Sequence, residues 1–224
     1  MEYGFTLTSL MPILFHADDV EAADELNRWR RSAENKAVSV AGDDRSPAWT
    51  WQTYLYHDGE HLAIPQENIM ACLCKAGAMI PMPKGKSTFK SASQSGLVIL
   101  SEFCEFRSGG KQVAMTSIAA MGGLAFAEQA AGAKKLGFEL KVKRATIGKS
   151  KHVRVRAMFR SWAVSGVIEV LDPLITAGVL AEMFDIGGRK VGILDWRPSS
   201  PKKPGPYGTF KSEVKPLAAA KKSA

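Results

Sequence analysis

LGFELKVKRATIGKSKHVRVRAMFRSWAVSGVIEVLD, residues 136–172, decides how this chain is read. Apolar and polar residues alternate with a period of two on both sides of GKSK, which predicts a β-hairpin; SGVIEVLD continues it or follows as a further strand. Within HVRVRAMFRSW, Val153, Val155, Ala157 and Phe159 point one way; His152, Arg154, Arg156, Met158, Arg160 and Trp162 point the other. One face is expected to pack on the core and the other to display an arginine ladder ending in an indole. Lys141 to Arg160 holds eight Lys or Arg and no acid, among them Lys143, Arg144, Lys149 and Lys151. Arginines about 6–7 Å apart along a strand match the spacing of successive phosphates in a single-stranded nucleic acid. Trp162 would add a stacking face. An edge strand guarded against aggregation needs fewer unpaired cations than this.

Downstream, PLITAGVLAEMFDIGG (173–188) predicts a helix that starts after Asp172 and stops at Gly187 or Gly188. Gly192 lets a strand begin close to another backbone, PSSPKKPGP reads as a stiff exposed connector bearing Lys202 and Lys203, and YGTFKSEV forms a last strand. Residues 217–224 have no core-forming pattern and read as a basic tail.

Upstream, TLTSLMPILFH predicts a buried strand ending near Phe15, and Asp18 or Asp19 caps a short helix running through Asn27 to Arg31. Residues 33–60 are polar and irregular apart from Trp49, Trp51, Tyr54 and Tyr56. Pro65 opens a helix whose Ile69, Met70, Leu73 and Ala76 share a face, with Gly77 ending it. Pro81–Gly96 reads as an exposed loop carrying Lys84, Lys86 and Lys90, and LVILSEFCEF (97–106) as one strand. AAMGGLAFAEQAAGAKK is compatible with helix or loop. The order of elements predicts an α+β chain: a single ferredoxin-like β-α-β-β-α-β domain over 1–216, with insertions at about 16–62 and 107–151.

Charge divides the sequence. Up to Ile80 there are 12 acids against 6 Lys and Arg; from Pro81 onward there are 10 acids against 24 bases. That asymmetry points to a polyanionic partner, nucleic acid above all. No apolar run approaches the roughly 20 residues that span a bilayer, no signal peptide is evident, and three cysteines fit a reduced, cytoplasmic chain.

Catalytic and metal motifs fail on spacing. PKGKST ends like a phosphate-binding loop, but the glycine required five residues before Gly85 is Ile80. His57 and His61 flank an Asp58-Gly59 turn and so do not share a helix face, and Cys72-Leu-Cys74 has no second pair. His16, after the first strand, is the one candidate general base for a metal-independent ribonuclease.

IGGRKVGILDWRPSSPKKPGPYGTF (186–210), together with the order strand, insertion, helix, strand, insertion, strand, helix, resembles the RAMP superfamily of CRISPR-associated RNA-binding proteins. MPILFHADD, HLAIPQENIMACLCKAGAM and GGRKVGILDWRP also resemble an uncharacterised family of phage and prophage proteins. The RAMP resemblance implies a ferredoxin-like (RRM-like) core, no cofactor, and single-stranded RNA bound along the sheet and the glycine-rich loop. Arg189, Lys190, Trp196 and Arg197 then sit where that superfamily keeps its ligand loop. It also implies copies polymerising along the nucleic acid in the manner of a CRISPR backbone subunit, each inserting a thumb-like hairpin.

The expectation is a non-enzymatic, phage-derived protein of the bacterial cytoplasm that binds RNA or single-stranded DNA as a homo-oligomer or filament. Trp162 and Trp196 would stack on bases, and the double change Arg154→Ala, Arg156→Ala would reduce the salt slope by about two. Two alternatives stand beside it. One is an assembly or inhibitory protein that binds an acidic protein; the other is a RAMP-type ribonuclease using His16.

Overall fold

The computed structural model describes residues 1–147 and 150–218. In chain order the elements are β1 (Glu2–Ser9), β2 (Ile13–Leu14), α1 (Val20–Arg31), a 3-10 helix (Thr50–Tyr54), β3 (Ala63–Pro65), α2 (Gln66–Gly77), α3 (Lys90–Ser95), β4 (Leu97–Ile99) and β5 (Phe103–Ser108). They continue with α4 (Met115–Ala119), α5 (Phe126–Lys135), β6 (Glu139–Ile147), β7 (Ser150–Phe159), β8 (Trp162–Val170), α6 (Ala177–Ile186), a π-helical turn (Gly187–Val191) and β9 (Phe210–Pro216). The chain is α+β, as expected, and the pairs of its larger sheet and of the β6–β7 hairpin are antiparallel. Among the described residues no helix is long and apolar enough to cross a membrane. Two compact units emerge: one from Met1–Ile13, Ala63–Gln112 and Arg160–Ala224, the other from Leu14–Leu62 and Val113–Phe159.

The first unit is built on a six-stranded sheet of order β3-β5-β8-β1-β9, with β4 also paired to β8. Alternation sorts its two faces. Tyr3, Phe5 and Leu7 of β1 lie opposite Ile168, Gly166 and Val164 of β8, and this face carries the core. Phe5 packs on Phe184 of α6 with ring centroids 5.3 Å apart. The other face presents Gly4, Thr6 and Thr8 beside Val167, Ser165 and Ala163. α2 buries Ile69, Cys72, Leu73 and Ala76, close to the predicted stripe, although Met70 is only half-buried.

Several boundaries differ from the sequence reading, each for a local reason. The first strand ends at Ser9 rather than near Phe15, because Leu10 and Met11 turn away by donating to the Thr209 carbonyl. Residues 97–106 are two short strands, and Leu100–Glu102 bends between them while Leu100 N still donates to Val167 O at 3.0 Å. Pro81–Gly96 is not wholly a loop: α3 forms because Ala92 and Ser93 tuck against Gly77, at which a Cβ would meet Ser93 Oγ. α6 starts later than Asp172, with the Thr176 hydroxyl accepting from Val179 N.

α6 ends at Ile186 with Gly187 as its cap, as predicted, but the winding does not stop there. Gly187 and Gly188 continue in the π-helical turn, and the chain leaves the helix at Gly192, whose φ of +71° only glycine adopts freely. Gly188 is required by proximity instead, since a Cβ there would collide with the Phe210 carbonyl oxygen of β9. No strand follows Gly192; residues 193–209 are turns, closed by Ile193 N to Gly208 O at 3.0 Å.

In the second unit, α1 is capped by Asp19, whose Oδ1 accepts from Ala22 N at 3.1 Å. α1 is mainly a solvated helix, with Leu26 as its buried residue. β6 and β7 form the predicted hairpin, with Lys143 opposite Arg154 and Lys141 opposite Arg156. The core of this unit is aromatic. Phe159 lies 4.9 Å from both Phe15 and Phe138, and buried Trp51 donates Nε1–H to Gln129 Oε1 at 2.7 Å. Gln129 Nε2 in turn donates to the Leu124 carbonyl at 2.9 Å, so both ends of a fully buried amide are paired.

Candidate nucleic-acid interface

The hairpin register places Lys141, Lys143, Arg154 and Arg156 on one face as two directly opposed pairs. Like charges directly opposite one another destabilise a sheet, so the ribbon needs compensation. Part of it comes from Asp44, only 1 % exposed, whose Oδ1 accepts from Arg154 Nη1 at 3.0 Å. Its Oδ2 accepts from Val155 N at 3.0 Å, and the Tyr54 hydroxyl donates to Oδ1 at 3.4 Å. Asp44 therefore fixes Arg154 midway along the ribbon. Burial first, and then the Asp44 charge, push the Tyr54 phenol above its ordinary pKa, against the lowering fields of Arg154 and Arg156.

Further out, Lys143, Arg144 and Lys151 are exposed, with Arg144 and Lys151 on the opposite face from Lys143. The distal ribbon is thus basic on both sides. Lys149 lies outside the described residues. At the other end the alternation fails. β7 ends at Phe159, Arg160 and Ser161 form an exposed turn, and Met158 is buried instead of displayed.

Trp162 corrects the expectation most sharply. It is 2 % exposed, donates Nε1–H to the Met11 carbonyl at 2.9 Å and packs edge-on against Phe210. The turn at Arg160–Ser161 resets the phase, so the indole opens β8 on the core side and has no face to offer a base.

In the first unit, the glycine-rich segment spends much of its chemistry on itself. Trp196 adopts a φ of +50° and is half-buried, its ring centroid 5.3 Å from that of Tyr207. Arg197 donates from Nε to Ser199 Oγ at 3.2 Å and from Nη1 to the Leu194 carbonyl, which closes the turn. Arg189 is exposed and paired with Asp185 at 2.7 Å; Lys190, Lys202 and Lys203 are exposed. Lys84 and Lys86 are exposed in the loop before α3, and Lys90 is the exposed first residue of that helix. On the helix-free face of the sheet, β1 and β8 present Glu2, Gly4, Thr6, Thr8, Ala163, Ser165, Val167 and Glu169. These two central strands offer no aromatic or cationic side chain there; β5 adds Phe103 and Arg107, and β9 adds Lys211 and Lys215, to the same face.

Among the described residues no His, Cys, Asp and Glu group could hold a metal ion. His57 Nδ1 accepts from Gly59 N at 3.1 Å within the expected turn. Burial pushes the Cys72 thiol up to about 12 and that of Cys104 to about 11, so neither is a ready thiolate. The His16 ring stands 4.7 Å from that of Tyr54, centroid to centroid. Asp44 is the residue that sequence reasoning missed, and the sequence marks Tyr54 only as one of the aromatics in residues 33–60. The Asp44–Arg154 pair joins positions 110 residues apart, and nothing in the local pattern marks it.

No protein-family model matches the chain, and no match was found among curated proteins.

Proposed function

We propose that the chain is a non-enzymatic protein that binds single-stranded nucleic acid through the β6–β7 ribbon and assembles in several copies along the strand. The observation that carries this reading is the pairing of Lys141 with Arg156 and of Lys143 with Arg154 on one ribbon face. Four cations gathered on one face of a ribbon form a surface suited to a polyanion lying across it. Supporting a ferredoxin-like core is the antiparallel order β9-β1-β8-β5, in which the first and third core strands are central and α2 and α6 supply the two crossovers. The exposed cations of the first unit, Lys84, Lys86, Lys90, Lys190, Lys202 and Lys203, act as auxiliary phosphate contacts, which position without reading sequence.

The test measures affinity for a labelled single strand as a function of salt. For single strands each phosphate contact contributes about 0.7 to the slope of log K against log salt, so Lys143→Ala with Lys151→Ala should lower the slope by about 1.4. These two are preferred to Arg154, which is tied to Asp44. Absence of any binding at low salt would sink the reading in favour of an acidic protein partner.

A further inference from the structure

We infer that Tyr54, backed by the His16 ring, is the surface on which a base of the bound strand stacks, with Arg156 holding a phosphate beside it. This rests on the reading of the ribbon as the nucleic-acid interface. Binders of single strands combine backbone-tracking cations with an aromatic face close by. Trp162 and Trp51 are buried, and Trp196 belongs to the glycine-rich segment of the first unit. Trp49 lines a groove with Asp19 and Glu25, whose charges repel phosphate. Tyr54 is different. It is half-exposed, its hydroxyl reaches Asp44 beside Arg154, and Arg154 and Arg156 both act on it electrostatically.

Its position is prepared before any ligand arrives. Tyr54 ends the 3-10 helix, which buried Trp51 and Thr50 anchor, and the Tyr54 carbonyl accepts from Ala17 N at 2.9 Å. His16 lies against one side of the phenol at 4.7 Å and 51°. A ring held in this way loses little conformational freedom when a base stacks on it. The raised phenol pKa keeps the ring neutral beside the phosphates. Every base has a π-face, so the site selects for unstacked bases rather than for a sequence.

The experiment compares a thymidine decamer with an abasic decamer of equal charge. Wild-type protein should bind the thymidine strand at least about five-fold more tightly. Tyr54→Leu, which keeps an apolar side chain against His16, should abolish that preference, and Tyr54→Phe should preserve it. Equal wild-type affinity for the two strands overturns the inference and leaves the ribbon reading intact, as does a preference that survives in Tyr54→Leu. If neither strand binds, the ribbon reading falls, and this inference with it.

Discussion

Trp162 does not have the role its sequence context suggests, and on our proposal Tyr54 takes it. An indole beside three arginines reads as a ligand surface, yet it fills the core of the first unit and caps the Met11 carbonyl. Trp162→Phe would keep most of the packing but leave that carbonyl without its donor. We expect it to cost about 1–2 kcal/mol, read as a lower urea midpoint. Binding of the folded variant to a single strand should stay unchanged; lost affinity at unchanged stability would return the indole to the interface. Tyr54 sits in a polar, irregular stretch with no charge pattern of its own. Its setting becomes visible only when Asp44 and Arg154, 110 residues apart, meet beside it.

At the scale of elements, what could be read was what local periodicity encodes. The β6–β7 hairpin alternates through two strands, and α1 announces itself by an acidic cap before its first turn. What could not be read depends on distant partners. A Gly-Gly pair after an apolar helix ordinarily signals its end, but here both glycines stay helical because Cys72 of α2 and Phe210 of β9 press against them. The break at Arg160–Ser161 was equally silent, since its residues suit a strand as well as a turn. Gly188→Ala tests the tertiary explanation. With its Cβ aimed at the Phe210 carbonyl, the variant should lose about 3 kcal/mol or fail to accumulate. Gly123→Ala, where a Cβ meets nothing within 4 Å, should stay within about 0.5 kcal/mol of wild type. A neutral Gly188→Ala would remove the close-approach argument.

For the whole molecule, the charge split along the sequence is not a split in space. The second unit joins Leu14–Leu62, with 10 acids and 5 bases, to Val113–Phe159, with 2 acids and 9 bases. The most acidic and most basic stretches thus fold together into a unit of net charge +2, which leaves +6 of the total +8 on the first unit. A basic ribbon on a nearly neutral body exerts little long-range pull, because its field is cancelled beyond about 8–10 Å at physiological salt. Binding through it must come from contacts made one by one. With Arg154 paired to Asp44, the ribbon face that carries Lys141, Lys143 and Arg156 offers about three contacts to phosphate. For a short single strand the salt slope should then be about 2–3, whereas all eight cations from Lys141 to Arg160 would give about 6. Titrations between roughly 50 and 200 mM salt separate these values by more than tenfold in affinity change. A slope near 6 would mean that cations on both faces of the ribbon contact phosphate; a slope near 2, lowered further by Lys143→Ala, would confine the footprint to one face.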